Sequence, residues 1–290
     1  IFESLPVAGG MLAVGIPEYR LPEDVLNQEV KNITSLGAEL KTSAPIGKDN
    51  NFNELFKEGY DAIFVGVGAH IPREMRVPGE DLEGVLAATD LLRDVNLGKD
   101  VKIGKKVAVI GGGNVAMDAV RTSLRLGAEK VMIIYRRAEE QMPADPMEVE
   151  ESREEGVEYH FLRNPTKIIG EDGKVVGMEI IKMKLGEPDA SGRRRPIPIE
   201  GSNYTIKVDT VIPAISQSPD LFWVPEGTIN ITKWNSVEAD EETGATNMKG
   251  IYAAGDGVTG PQTVIEAVAG ARKAAVAIDK FLRSGDRVAS

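Results

Sequence analysis

The sequence predicts an α/β fold built on parallel sheets, and three observations carry that expectation. Residues 105–137, KKVAVIGGGNVAMDAVRTSLRLGAEKVMIIYRR, read as strand, glycine turn, helix and strand. Residues 250–282, GIYAAGDGVTGPQTVIEAVAGARKAAVAIDKFL, read as a second strand–turn–helix element with different punctuation. Elsewhere, apolar runs of strand length alternate with segments of helical spacing, the order that lays helices over a parallel sheet. With 290 residues, 42% of them apolar, the chain can supply two domains, each with its own core.

From the start of the chain, Ile1, Phe2 and Glu3 read as the end of a strand, followed by the Pro/Gly-rich loop SLPVAGGMLAVGIPEYRLP. Val25, Leu26, Val30, Ile33 and Leu36 recur near helical spacing over 23–36, and Gly37 can cap that helix. Short strands are expected at 38–42 and 61–67, loops around Pro72, Pro78 and Gly79, and a helix at 87–94. Gly98 and Lys105 then lead into the first of the two patterned segments.

That segment has the spacing G-x-G-x-x-A of a dinucleotide-binding βαβ unit. Gly111 permits the tight turn, Gly113 lets the backbone approach a pyrophosphate, and Ala116 lets the helix pack closely on the strand. The helix N-terminus offers unpaired N–H groups and a positive dipole end to phosphates. Where an NAD site usually closes the second strand with Asp or Glu, this strand closes on Tyr135, Arg136 and Arg137. A guanidinium fork suits a 2′-phosphate, so NADP(H) is the expected nucleotide. The residues alone leave open that both arginines are solvated charges at a strand end.

The acidic stretch AEEQMPADPMEVEESREEG reads as a loop and a short exposed helix. Alternation over 157–163, 166–170, 174–184 and 203–212 predicts strands of an antiparallel or mixed region. Between two of them, GEPDASGRRRP reads as a polar hairpin loop whose Arg193, Arg194 and Arg195 form a solvated tip. No repeat of solenoid period is present. In the last patterned segment Ile251–Ala254 form a short buried strand, Gly255 frees the turn, and Asp256 can accept a hydrogen bond from a ligand hydroxyl. The helix from about Pro261 directs its positive end to the same place, suiting a flavin edge that gathers negative charge on reduction. A plain βα unit with Asp256 as a helix cap fits the same spacing.

Composition excludes several classes. A net charge of -11 and a pI near 4.9 disfavour nucleic acid and anionic membranes as partners. Without cysteine, these residues form no disulfide, run no dithiol chemistry and hold no iron–sulfur cluster by thiolates. The two histidines, His70 and His160, are not at metal-ligand spacing. No apolar run of about 18 residues and no basic leader precede the fold, so a soluble, cytoplasmic protein is expected, with no membrane insertion.

In combination these motifs resemble the small (β) subunit of NADPH-dependent glutamate synthase and its relatives. The resemblance runs in order through AGGMLAVGIPEYRLP, VPGEDLEGV, VAVIGGGNVAMDA, YRRAEEQMPA, DTVIPAISQSPD and IYAAGDGVTGPQTVIEAVAGARKAA. It implies a glutathione-reductase-like flavoprotein fold of two Rossmann-like dinucleotide-binding domains. An NADPH domain, 99–244, would be inserted in a discontinuous FAD domain made of 1–98 and 245–290.

It further implies that Glu3 holds the adenosine ribose of FAD, that the Gly9, Gly10 and Leu12 loop lies along that cofactor, and that Asp256 contacts its ribityl or pyrophosphate portion. Gln262, Thr263 and Val264 would present backbone groups to the isoalloxazine, and Gly113, Asn114, Val115, Arg136 and Arg137 would bind NADPH. Arg20, Gly68, Gly111, Asp118 and Gly255 complete the expected cofactor contacts, with no catalytic side chain and no metal ligand.

Three departures stand out. The family's cysteine-rich segment and first G-x-G-x-x-G strand are absent, since the chain opens at the second strand. The usual A-T-G turn is Gly66-Val67-Gly68, and the G-Q pair is Ser216-Gln217. The implied activity is hydride transfer between NADPH and FAD, with electrons passing to an iron–sulfur subunit or a glutamate synthase large-subunit-like partner in an oligomer. The alternative is an NADP(H)-binding scaffold or sensor that has lost FAD.

Overall fold

A computed structural model describes residues 1–47, 51–189 and 192–285. Its contacts divide the chain into two interleaved units, one of residues 12–26 and 72–215, the other of 1–11, 27–71 and 216 onward. The division at 26/27 falls within helix Glu23–Thr34.

In the unit of 12–26 and 72–215, strands Thr210–Pro213, Lys106–Ile110, Lys130–Tyr135 and Glu158–Phe161 lie side by side in that order, all parallel. Alternate residues of each strand go to opposite faces. Val107, Val109, Val131, Ile133 and Ile212 share a core with Ala116, Met117 and Val120 of helix Asn114–Arg125, Leu91 of helix Ala88–Asn96 and Val149 of helix Pro146–Glu154. On the other face Ala108, Ile110, Met132, Ile134 and Val211 meet Ile168, Val175, Met178 and Ile180. Those four come from an antiparallel layer in which Lys174–Pro188 pairs with Arg163–Glu171, Arg194–Pro198 and Tyr204–Ile206. A parallel sheet covered on both faces must be apolar on both, which is why KVAVI and KVMIIY read as unbroken runs.

The strand region expected after the acidic stretch is two structures, not one. Residues 158–161 form the edge of the parallel sheet, and the expected strand 203–212 splits in two. Tyr204–Ile206 joins the antiparallel layer, whereas Thr210–Pro213 joins the parallel sheet. The break is at Asp209, whose carboxylate accepts the backbone N–H of Lys105 and Lys106 at 3.1 and 2.9 Å. The acidic helix is not simply exposed either: Pro146–Glu154 buries Val149 and Ser152. Ala190 and Ser191 of the expected hairpin loop lie outside the described residues.

The second unit carries a two-stranded parallel pair, Ile63–Val65 with Ile251–Ala253. Its core gathers Phe52, Val65, Leu221, Ile229, Val237, Ile251 and Ala253, with Trp223 packed edge-on against Phe52 at 5.2 Å between centroids. The expected strand at 38–42 reduces to one bridge, Lys41 to Phe2. Helix Val264–Arg283 buries only Ala274 among its residues. It approaches the rest of its unit through small positions, since a Cβ on Gly270 would lie 3.3 Å from Ala254.

The unit boundaries differ from 98/99 and 244/245 for a packing reason. Leu91 shares a core with Val107, and Leu221, Ile229 and Val237 share one with Ile251. No helix among the described residues is long and apolar enough to cross a membrane. Ile133 is 0% exposed at the centre of the parallel sheet, so Ile133→Ala is expected to cost about 2–5 kcal/mol, read from the denaturant midpoint.

Candidate functional site

At the carboxyl end of strand Lys106–Ile110 the chain turns within three glycines, and packing requires only the first two. A Cβ on Gly111, at φ +150°, would lie 2.3 Å from the Ala214 carbonyl oxygen, and one on Gly112 would lie 2.8 Å from the Tyr135 ring. Gly113 is different: its φ of -99° suits any residue, and an added Cβ would meet only Pro143, at 3.8 Å. Packing and backbone conformation therefore do not demand glycine at 113. What the glycine leaves is open space at the N-terminus of helix Asn114–Arg125, whose first N–H groups have no partner within the helix. Asn114 is exposed and Val115 half-buried at that opening.

The turn is held from outside with the help of Gln141, Ala144 and Asp145, which sequence reasoning did not single out. The Ala144 N–H donates to the Gly112 carbonyl at 3.1 Å, the Asp145 N–H to Asn114 Oδ1 at 2.8 Å, and the Tyr135 hydroxyl to the Gln141 carbonyl at 2.6 Å. The segment MPADP, with its two prolines and an N-capping Asp145, was the signal available.

The two arginines at the end of strand Lys130–Tyr135 part company. Arg136 is exposed, whereas Arg137 is only 6% exposed. Arg137 Nε donates to the Arg194 carbonyl at 2.9 Å, and a terminal nitrogen pairs with the Asp189 carboxylate at 3.1 Å. Although Arg136 is exposed, the partial loss of water around its guanidinium lowers its basicity, and the neighbouring charges of Arg137 and Arg193 lower it further.

Arg20 and Asp118, both expected to contact a cofactor, contact each other. One Arg20 nitrogen reaches both Asp118 oxygens, at 2.8 and 2.9 Å, and Arg20 Nε reaches Glu148 at 2.7 Å. Arg121 extends the lattice to Glu148, Glu151 and Glu155 at 2.7, 2.8 and 2.9 Å, and Arg125 also reaches Glu155. Both guanidiniums lie against the Tyr19 ring, Arg121 at 4.7 Å and Arg125 at 4.1 Å from its centroid. Burial pushes the Asp118 carboxyl up to about 6 against the pull of Arg20, while hydrogen bonds from Arg125 lead in holding Glu155 down at about 2.

In the second unit, Gly255 turns the chain at φ +73° after strand Ile251–Ala253, and Asp256 follows at the start of a one-turn helix. The Gln262 N–H donates to Asp256 Oδ1 at 3.2 Å, and burial raises the Asp256 carboxyl above its ordinary value. Gln262, Thr263 and Val264 are exposed, and the Glu266 carboxylate accepts both the N–H and the hydroxyl of Thr263, at 2.9 and 2.6 Å. Glu3 accepts the Leu5 N–H at 2.8 Å. Gly9, Gly10 and Gly68 take φ of +112°, +53° and +66°. Leu12 sits in the one-turn helix Met11–Val14, which falls across a unit boundary.

Comparison with known proteins adds to this geometry. The family model for pyridine nucleotide-disulphide oxidoreductases matches residues 9–271. The NADP(+)-dependent formate dehydrogenase subunit beta of Moorella thermoacetica is 48% identical over 98% of this chain and 40% of its own length. The NADPH-Fe(3+) oxidoreductase subunit beta of Geobacter sulfurreducens is 43% identical over 98% of the chain and 46% of its own length. A putative glutamate synthase [NADPH] small chain of Cereibacter sphaeroides is 36% identical over 97% of the chain and 70% of its length. The chain thus spans less than half of the first two relatives.

Among solved structures, Mycobacterium tuberculosis FprA in complex with NADPH superposes with a TM-score of 0.82 at 20% identity, covering the whole chain and 79% of FprA. T. acidophilum thioredoxin reductase gives 0.69 at 19%, over 98% of the chain and 90% of that structure. At such identities the likeness concerns the fold, and it is the two-dinucleotide-domain flavoprotein fold expected from the sequence. The resemblance to glutamate synthase small subunits is likewise borne out.

Two measurements follow from the turn and the lattice. Gly113→Ser keeps a residue favoured at a helix N-cap, so it should leave the unfolding midpoint near that of the unaltered protein while weakening dinucleotide binding about tenfold or more. Gly111→Ala should instead lower the midpoint; the reverse pattern would refute the division of roles. For Asp118, a folded value above the unfolded one means the native state holds an extra proton between about pH 4 and pH 6. Its contribution to stability is therefore full below about pH 4 and lost as the pH rises through about 6. Asp118→Asn should flatten that part of the Tm–pH profile, and an unchanged slope would count against it.

Proposed function

The chain belongs to the pyridine nucleotide-disulphide oxidoreductase family, and from that premise we propose that it is the NADP(H)- and FAD-binding portion of an electron-transferring oxidoreductase. The unit of 12–26 and 72–215 binds NADP(H), and the other unit contributes residues to an FAD site. The observation that carries the reading is the cradle at Gly113, a helix N-terminus kept open where the protein's own packing has no use for glycine. The family's name notwithstanding, these 290 residues hold no cysteine and so no dithiol with which to reduce a disulfide.

When both cofactors are bound they supply hydride transfer from nicotinamide C4 to flavin N5 and one-electron release from the reduced flavin. The chain's part is to bind and orient. The N–H groups of Asn114 and Val115, with the helix dipole behind them, would hold the nucleotide pyrophosphate, and Arg136 would meet the 2′-phosphate. Glu3, Gly9, Gly10, Gly255 and Asp256 would hold FAD, and Gln262, Thr263 and Val264 would present backbone groups to the isoalloxazine. No side chain is needed as acid, base or nucleophile.

Two relatives are named as beta subunits, which supports a partner subunit. We assign that partner an iron–sulfur electron acceptor. The protein carrying this chain, isolated with its partners, should be yellow, lose flavin absorbance on addition of NADPH and reduce an artificial dye. A preparation that stays colourless with added FAD and leaves the dye oxidised would overturn the reading.

A further inference from the structure

The antiparallel layer concentrates charge of the sign opposite to that of the whole chain. Residues 163–207 hold nine Lys and Arg against six Asp and Glu in a protein of net charge -11, so an anion repelled elsewhere is drawn here. Arg163 of strand Arg163–Glu171 stands directly opposite Lys182 of strand Lys174–Pro188. The main chain of Lys182 faces the other way: its N–H donates to Ser202 Oγ at 3.1 Å, and its carbonyl accepts the Ile199 N–H at 2.8 Å. Arg163 and Lys182 are therefore a non-hydrogen-bonded pair, the kind in which facing side chains come closest. Like charges so placed destabilise a sheet.

Arg163 is nonetheless fixed in place. Its Nε donates to the Tyr204 hydroxyl at 2.8 Å, and its Nη1 to the Leu162 and Phe161 carbonyls at 2.8 and 3.3 Å. Those bonds engage the fork and leave Nη2 without a partner among the described residues. The Tyr204 ring packs against the core of Ile168, Met178 and Ile180, while its hydroxyl, having accepted from Arg163, keeps a proton to donate. Lys182 is exposed and has no ion pair among the described residues. Glu179, on the same strand, already accepts from Thr166 Oγ1 at 2.5 Å and Asn203 Nδ2 at 3.1 Å, and strand alternation turns it to the opposite face from Lys182.

Arg163, Lys182 and Tyr204 line one surface cavity of about 490 Å³ with Gly201, Ser202 and Asn203. We propose that this cavity binds a phosphate group, as the free ion or a monoester, through Arg163 Nη2, the Tyr204 hydroxyl and Lys182 Nζ. A planar carboxylate is gripped best by two nitrogens of one guanidinium fork, and here the fork is engaged. Three separate donors from three strands match the oxygens of a tetrahedral anion instead. A dianion between Arg163 and Lys182 offsets their repulsion, so a pair that weakens the empty fold is explained by the ligand it holds. All six lining residues belong to the unit of 12–26 and 72–215, and none is assigned to either cofactor.

The test uses the intact protein with inorganic phosphate, glucose 6-phosphate and adenosine 2′,5′-bisphosphate, at ionic strength matched with chloride. Lys182→Gln and Tyr204→Phe, which keeps the ring in the core, should each weaken inorganic phosphate about tenfold in equilibrium dialysis and leave the bisphosphate within about twofold. Lys182→Gln should also raise the unfolding midpoint in chloride by about 1 °C or more, and lose most of the further rise that phosphate gives the unaltered protein. A lysine with a purely structural role predicts no such gain. Glucose 6-phosphate separates the sources: if it displaces labelled phosphate, the ligand is a phosphorylated small molecule, and if it does not, the ligand is the free ion.

Phosphate bound equally by the unaltered protein and both variants, or by none of them, would overturn the proposal. So would a Lys182→Gln midpoint in chloride at or below that of the unaltered protein. If bisphosphate affinity falls together with phosphate affinity in both variants, the cavity is part of the nucleotide site and the separate phosphate site is wrong.

Discussion

The contact that leaves no room for a side chain at Gly111 sets the geometry of the larger unit. Gly111 follows strand Lys106–Ile110 and Ala214 follows its neighbour Thr210–Pro213; the two strand ends are joined as the Ala214 N–H donates to the Ile110 carbonyl at 2.8 Å. Backbone passes against backbone there, so the chain must leave the sheet at once and begin a helix within three residues. The helix N-terminus is thereby fixed at the carboxyl end of the parallel strands, where ligands of open α/β sheets bind. The loop that closes over the turn depends on the same placement, because it bonds to Gly112 and Asn114.

Around helix Asn114–Arg125 the charges form a lattice rather than a set of pairs. Asp118 and Arg121 are both buried, and a buried charge is tolerable only when partners replace the water it gave up. Arg20 comes from the Pro-rich segment near the start of the chain and the glutamates from the acidic helix, so ionic contacts fasten both segments to the helix that carries Asp118 and Arg121. The Asn96 side-chain amide adds a neutral tie, donating to the Ile16 carbonyl at 3.0 Å.

Local patterns were legible in the sequence, and distant pairings were not. The glycine turn, the doubly apolar strands and the C-terminal strand–turn–helix follow from residues within one or two turns of each other, and they lie where periodicity puts them. The strand expected at 38–42 has the right residues, yet only Lys41 finds a bridge partner. The split at Asp209 depends on N–H groups more than a hundred residues earlier. Arg136 and Arg137 look equivalent as a dipeptide; burial separates them, and only the fold brings Asp189 to Arg137. The same limit applies to Arg20 and Asp118, far apart in sequence, which only the fold brings to 2.8 Å from each other.

The interleaving of the two units also orders events in time. Strand Ile63–Val65 is synthesised about 190 residues ahead of its partner Ile251–Ala253. The parallel sheet of the other unit is complete in sequence by Pro213. During synthesis strand Ile63–Val65 therefore waits unpaired while the parallel sheet assembles, and its pairing closes a loop that the folding of the intervening residues shortens.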